Sequence, residues 1–520
     1  MQKWVSRAYN GGMFARKKRN RSGSVSIQII DKAQRYRVVQ TVGSARNPDD
    51  IEKLWRKGQH IVHDASPEQQ QLLPVKTEAD LAVENAMDSL ANGQVHTIGP
   101  ECIFGTLFDR LGFDAIPGKL FRHIVIARLA YPTSKLKTVD YLYRYRGITV
   151  GVDAVYRFLD TFNKSYKTQA QDIAYRNTKR TLGTISVVFY DMTTLYFEAE
   201  DEDDLRKIGF SKDGKFQHPQ IMLGLLIGEG GFPIGYDIFE GNTFEGHTLL
   251  PTLEIIQKKY GFGKPVVVAD AGLLSNENLR KLAEEGYRFI IGGRIRNESV
   301  EIQKQILEEA KGMKDGDSFV LQTRDKTRLV VTYTNKRAKK DAYNRERGLK
   351  KLRKHVKTGR LTKDSINDRG YNKFLTLEGE VKVTIDEEKV KEDARWDGLK
   401  GYLTNSRLSP KKVTENYAQL WQIEKAFRIS KTDLKVRPIH HYLKRRIEAH
   451  ICIAFVSYSI YKELERQLQE LHVDMSARRA AELTHTMYEL EYMLPDSQES
   501  KRAILRMDAE QQMLHDAIHD

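Results

Sequence analysis

Apolar and polar residues alternate in two short runs near the amino terminus, SVSIQII (Ser24–Ile30) and YRVVQTV (Tyr36–Val42). With DKAQR between them, they predict a β-hairpin. From Asp49 to about Gln71, and again from about Ala79 to Phe162, apolar positions recur at helical spacing, with Gly and Pro breaks near Gly99, Pro100 and Pro117. Inside the second stretch, TSKLKTVDYLYRYRGITVGVDAVYRFLDTF predicts two helices joined at Gly147 to Gly151. After Thr184 the texture changes to strands. TISVVFYDMTTLYFEAE, HPQIMLGLLIG and, after the turn GEGG, FPIGYDIFEG predict an antiparallel meander. A helix from about His247 to Tyr260, a buried strand PVVVAD, a helix from Ser275 to Glu285 and a strand YRFIIGG follow.

This order of elements is that of a ribonuclease H-like mixed α/β sheet awaiting its last helix. That helix is delayed. Residues 295–402 mix the strands SFVLQT, RLVVTYTN and EVKVTI with a basic stretch from Lys336 to Arg360, and they read as a β-rich insertion. The sheet domain resumes at SPKKVTENYAQLWQIEKAFRISKTDL, where Ser409 suits an N-cap and Pro410 the first turn. The resulting division is a basic hairpin plus helix (1–75), a helical region (76–180), a sheet core in two parts (181–294 and 403–475) around the insertion (295–402), and a helical tail (476–520).

Composition narrows the class. At 520 residues the chain exceeds the size at which one core keeps growing, and 40% hydrophobic with 30% charged residues excludes general disorder. The longest apolar stretch, ICIAFVSYSIY near Ile451, is shorter than a bilayer span, and the amino terminus does not read as a secretory signal. The expected location is the cytoplasm. Cys102 and Cys452 are too few for a disulfide framework. Lys plus Arg outnumber Asp plus Glu by 85 to 70, a net charge of +15, which favours a polyanionic partner, nucleic acid first. Arg16, Lys17, Lys18 and Arg19 precede the first hairpin strand and could track a phosphate backbone, or form a solvated leader. The helix from Asp153 could enter a major groove, although helical pairs are common everywhere.

Two carboxylates stand out. Asp191 lies inside an apolar strand, where an unpaired charge is costly, and Asp270 ends a buried strand before Ala271 and Gly272. In this topology the two strands are neighbours, so both aspartates could face one metal centre. A continuous helix around Glu424 would put Leu420, Ile423, Phe427 and Leu434 on one stripe and Tyr417, Glu424, Arg428 and Lys431 on the next. On periodicity alone an amphipathic surface helix remains open. His218, His247, His440 and His441 are scattered and make no transition-metal cluster. A haloacid-type phosphatase would want an acid two residues after its nucleophile, where this chain has Thr193.

VVFYDMTTLYF, GFSKDGKFQHPQIMLGLLI, GNTFEGHTLLPTL, VVVADAG and YAQLWQIEKAFRISKTDLKVRPIHHYLKRRIEAHICIAF resemble bacterial insertion-sequence transposases of the DDE class. The similar branch has a β-rich insertion before its catalytic glutamate and a Tyr-Arg-Glu-Lys signature around it. The resemblance implies Asp191, Asp270 and Glu424 as catalytic metal ligands for Mg²⁺, with Mn²⁺ as substitute. It also implies double-stranded DNA, as terminal inverted repeats and target, for a partner and a homodimer on paired ends. Tyr417 and Lys431 match the signature, Leu420 stands where its arginine is expected, and Arg428 could supply that charge one turn later. DNA contact is expected at Tyr417, Arg428, Lys431, Arg16, Lys17, Lys18, Arg19, Lys350, Lys351 and Lys354. A transposase-derived DNA-binding regulator and a nuclease that cuts without joining are the alternative readings.

Overall fold

A computed structural model describes residues 13–519 except 32–35, 65–77, 89, 92–93, 163, 212–213, 262, 273–274, 324–326, 359–365, 368–369, 379–381, 495–496 and 498. Most of the expected DKAQR turn, the end of the first predicted helix and Arg360 therefore lie outside the described residues. The chain divides into two units, residues 1–92 with 493–499 and residues 93–492 with 500–520.

In the first unit, β1 (Met13–Arg19), β2 (Val25–Asp31) and β3 (Arg37–Ala45) form one antiparallel sheet. The expected two-stranded hairpin is thus three-stranded. The basic run is itself the first strand, with Arg16 opposite Gln28 and Lys18 opposite Ser26. An edge strand needs backbone pairing on one side only, and long cationic side chains on it can stay in water. Ile27, Ile29 and Ile30 of β2 are buried, and helix Pro48–Asp64 packs on the sheet.

The second unit opens with β4 (Val95–Thr97) and a set of helices that includes the anticipated pair, Lys135–Arg146 and Val152–Thr161. The next strands are β5 (Val187–Tyr196), β6 (Gln220–Gly228), β7 (Pro233–Glu240), β8 (Val266–Ala269) and β9 (Arg288–Gly293). β5, β6 and β7 form the antiparallel meander, and β8 lies parallel between β5 and β9. Both faces of this mixed sheet are covered. Val187, Phe189 and Leu195 enter one core with helix Lys444–Glu470, while Val188, Tyr190 and Met192 enter another with helices Leu249–Tyr260 and Asn276–Glu284. Burial on both sides is why these strands read as continuous apolar runs.

The segment expected to be a β-rich insertion into the sheet domain enlarges the same sheet. It contributes β10 (Ser318–Gln322), β11 (Arg328–Tyr333), the small hairpin β12 (Leu375–Glu378) and β13 (Lys382–Ile385), and β14 (Leu399–Thr404). The eight-stranded order is β10-β11-β14-β9-β8-β5-β6-β7. Its basic stretch is a helix, Asn335–Lys357, seated through Leu349 and Leu352 on Phe374, Leu375 and Val383. The tail is also not wholly helical. β15 (Tyr488–Met493) alternates in YELEYM and pairs with β4 on one side and β16 (Ser500–Ile504) on the other. Both cysteines are free thiols, and among the described residues no helix is long and apolar enough to cross a membrane.

Candidate active site

Alternation along a strand decides which side chains share a face of the sheet. On β5, Val187 and Phe189 enter the core that contains helix Lys444–Glu470, and on β8 Val266 and Val268 do the same. Asp191 and Asp270 each follow in step, so both belong to that face. The strands are parallel with Phe189 opposite Val268, and continuing this register sets Asp191 beside Asp270. Ala269 is opposite Ile291 on β9, which brings Gly292 next to Asp270, and Tyr402 on β14 is opposite Gly292. A row of four register neighbours therefore crosses four strands.

Over this row lies the segment that carries Glu424. Ser409 caps it as anticipated, accepting a hydrogen bond from the Lys412 backbone amide, with Pro410 in the first turn. It is not one helix, however. Helix Pro410–Ala418 is followed by helix Trp421–Arg428 and then by a wider-wound turn over Ile429–Asp433. Leu420, Ile423, Ala426 and Phe427 are buried in the core of the aspartate face. Glu424 is exposed at the edge of that buried stripe.

Tyr417 links the helix to the sheet. Its phenol donates to Asp270 Oδ1 at 3.4 Å and sits directly above Gly292, where a Cβ would come within 2.8 Å of the phenolic oxygen. Burial raises the pKa of this phenol, with Asp270 and, more weakly, Glu424 acting in the same direction. Glu424 is therefore close enough for its charge to be felt at the tyrosine that touches Asp270.

Lys400 is the residue that pattern reading missed. It lies on β14 two positions before Tyr402, with Nζ 4.4 Å from the centre of the Tyr417 ring and 5.2 Å from that of Tyr402. Burial, then Arg337, lowers its pKa, and Asp270 opposes them. A lysine in a strand reads from sequence as an outward-facing position. Only the strand order places it here.

The other anticipated residues divide. Lys431 lines a small cavity with Thr193 and Phe427, on the β5 side. It lies within the wide turn Ile429–Asp433, which departs from the regular winding that would have stacked it over Glu424. Arg428 is exposed, and its charge is felt at Asp433 and Tyr461. In the first unit, Arg16 donates to Gln28 Oε1 at 3.0 Å and Lys17 pairs with Glu52 at 3.2 Å beneath the Trp55 ring, while Lys18 and Arg19 are exposed. On helix Asn335–Lys357, Arg345 pairs with Asp393 and Asp397 and Arg353 with Glu346, whereas Lys350, Lys351 and Lys354 are exposed.

The donor set at the row is all oxygen, the kind that hard divalent cations prefer. Among the described residues no three carboxylate, histidine or cysteine side chains are gathered closely enough to hold a metal ion. The structure thus brings Asp191 and Asp270 together and leaves Glu424 beside them, outside a closed ligand set.

Residues 182–460, more than half of the chain, match the family described as the transposase DDE domain. Among solved structures, the piggyBac transposase in a synaptic complex with hairpin DNA is similar at 9% identity and a TM-score of 0.38, over 74% of this chain and 76% of that one. The Mos1 transposase in a paired-end complex with the left transposon end is similar at 12% identity and a TM-score of 0.16, over 36% of this chain and 57% of that one. No curated protein matches.

Proposed function

The chain belongs to the transposase DDE-domain family, which makes it a DNA cleavage and strand-transfer enzyme, and from that premise we propose that it moves a bacterial insertion sequence. In this reading it binds the terminal inverted repeats as a homodimer on paired ends, in the cytoplasm, cuts phosphodiesters at the ends and joins the freed 3′ ends to target DNA. The observation that carries the proposal is the register of Asp191 and Asp270 on one face of adjacent parallel strands, under the helix that bears Glu424. The strand order β7-β6-β5-β8-β9 supports a ribonuclease H-like core.

Asp191, Asp270 and Glu424 would hold Mg²⁺, with Mn²⁺ as substitute. Bound there, the ions would activate the attacking oxygen and stabilise the leaving one. The chain's own residues do the rest. Tyr417 orients Asp270 through its hydrogen bond, and Gly292 gives it the room to do so. Lys400, held against two aromatic rings near Asp270, is placed to hold a phosphate oxygen, and Lys431 adds a cation on the β5 side. Exposed Lys18, Arg19, Lys350, Lys351 and Lys354 suit backbone contacts, which position DNA without reading its sequence. Residues before about 180 are proposed to grip the element's ends.

The test uses duplexes that carry the DNA flanking the reading frame. Wild-type protein with Mg²⁺ should cut at the repeat ends and join labelled 3′ ends to a plasmid. Asp191→Asn, Asp270→Asn and Glu424→Gln should each abolish cutting, as expected of a metal ligand, and keep end binding. Cutting that survives in any of the three removes that residue from the site. Cutting without joining would favour the plain nuclease.

A further inference from the structure

The helical part of the second unit gathers basic side chains that the DNA-cutting reading does not use. Arg128 comes from the last turn of helix Lys119–Ala130 and Lys135 opens helix Lys135–Arg146. His450 lies on helix Lys444–Glu470, and His441 in the segment that leads into it. Each of the four has 8% of its surface or less exposed.

Their hydrogen-bond partners are neutral. Arg128 Nη1 donates to the Leu434 carbonyl at 3.4 Å and to the Lys435 carbonyl at 3.5 Å, the long end of hydrogen bonding. His450 Nε2 donates to the Val436 carbonyl at 2.9 Å, which leaves Nδ1 of this buried ring without a partner. The His441 and His450 rings lie 5.5 Å apart. The charges of Lys135 and Arg128 are felt at both histidines, and those of Arg446 and His440 at His441. Among the described residues no ion pair joins any of the four to an acid. Asp160, on the helix whose Tyr156 ring meets His441, is held by Arg445 at 2.8 Å and Arg446 at 2.6 Å.

Basic groups buried together with no acid among them are costly, and apolar side chains would fill the same space at lower cost. A buried water would satisfy Nδ1 and leave the charge unbalanced. An anion does both. A tetrahedral oxyanion suits the set, because it accepts charge-assisted hydrogen bonds from several directions, here from an ammonium, a guanidinium and two imidazoles brought in by three helices and the segment before the third.

We propose that Arg128, Lys135, His441 and His450 form a buried site for a sulfate- or phosphate-type oxyanion, which ties helices Lys119–Ala130 and Lys135–Arg146 to the segment that follows the Glu424 helix. The aspartate row plays no part in this inference, which stands apart from the DNA-cutting reading.

The experiment melts the full chain in sodium sulfate and in sodium chloride at equal ionic strength. At about 10 mM, sulfate should raise the melting temperature by about 2 °C or more over chloride. The increment should be larger at about pH 6 than at about pH 8, since the ion favours the protonated histidines while sulfate keeps its own charge. Lys135→Met should melt no lower than wild type in chloride, because it removes an unbalanced buried charge, and should lose the sulfate increment. His450→Gln, whose amide can keep the Val436 contact but offers nothing in place of Nδ1, should lose most of it. An equal effect of chloride, an increment that survives in both variants, or one that disappears when Lys350, Lys351 and Lys354 are all changed to Gln would each overturn the proposal, the last by placing the ion on the surface. Duplex binding reads the source of the oxyanion. A salt slope unchanged in Lys135→Met supports a free ion in the site, and a slope lower by about one supports a DNA backbone phosphate there. A protein that shows the sulfate increment and cuts no DNA would sink the transposase reading alone, and cutting without the increment would sink this one alone.

Discussion

At the scale of single residues, the site depends on what sits between the two aspartates and the helix. Lys400 has its charge next to the rings of Tyr417 and Tyr402 and within reach of Asp270's field. Lys400→Gln should slow cutting by about tenfold to a hundredfold, the range for losing one hydrogen bond to a charged group, with end binding changed by less than about threefold. Single-turnover rates and binding isotherms on the same duplex separate the two. Gly292→Ala tests the adjoining contact. Its Cβ would force the Tyr417 oxygen away from Asp270, so the variant should resemble Tyr417→Phe in rate, and combining the two changes should cost little more than either alone. Additive losses would mean that Gly292 acts by another route.

Elements separate charges that hold the fold from charges that face outward. Helix Asn335–Lys357 has both on one cylinder, with Arg345 tied to Asp393 and Asp397, Leu349 and Leu352 buried, and Lys350, Lys351 and Lys354 exposed. Lys350→Gln, Lys351→Gln and Lys354→Gln together should leave the melting temperature unchanged. They should weaken specific and random DNA alike and lower the slope of log affinity against log salt by about one for each phosphate no longer neutralised. Leu349→Ala should do the opposite. It should cost about 2–5 kcal/mol of stability by opening a cavity, with the salt slope kept, as chemical denaturation and salt titration would read. A preserved slope in the triple lysine variant would remove this helix from the DNA path.

For the molecule as a whole, a buried basic cluster contributes to the loss of stability in acid. His441 and His450 pack ring to ring at 5.5 Å, with Lys135 and Arg128 near both, Arg446 and His440 near His441, and the Tyr156 ring against His441. Burial first, and then these cations, push His441 down to about 4 from an ordinary 6.5, and hold His450 and Lys135 well below their usual values. In the unfolded chain His441 takes up its proton near 6.5, in the folded chain only near 4. Its contribution is therefore intact above about 6.5 and lost as pH falls toward 4, a change of about 3 kcal/mol. The melting temperature should drop steeply between about pH 6.5 and 4, and His441→Gln should flatten that drop whatever it does to stability at neutral pH. An unchanged profile in the variant would place the acid sensitivity elsewhere.

Local pattern determined much of this protein. The meander, the strand ending at Asp270, the helical pair around Gly147 and the Ser409–Pro410 helix start are all legible, because period-two alternation, turn residues and caps act over a few positions. Family membership was legible from motifs for the same reason. What pattern could not determine were features set by pairing between distant segments. The basic run became an edge strand because β2 had a free side, and half of the expected insertion became part of the main sheet because β14 lies beside β9. Glu424's helix reads as one continuous element, yet it breaks near Gln419 and widens over Ile429–Asp433, the turn that holds Lys431. Lys400 and Gly292 carry no local signal at all. Their relation to Asp270 exists only because strands far apart in sequence align in register, and register is a property of the folded sheet.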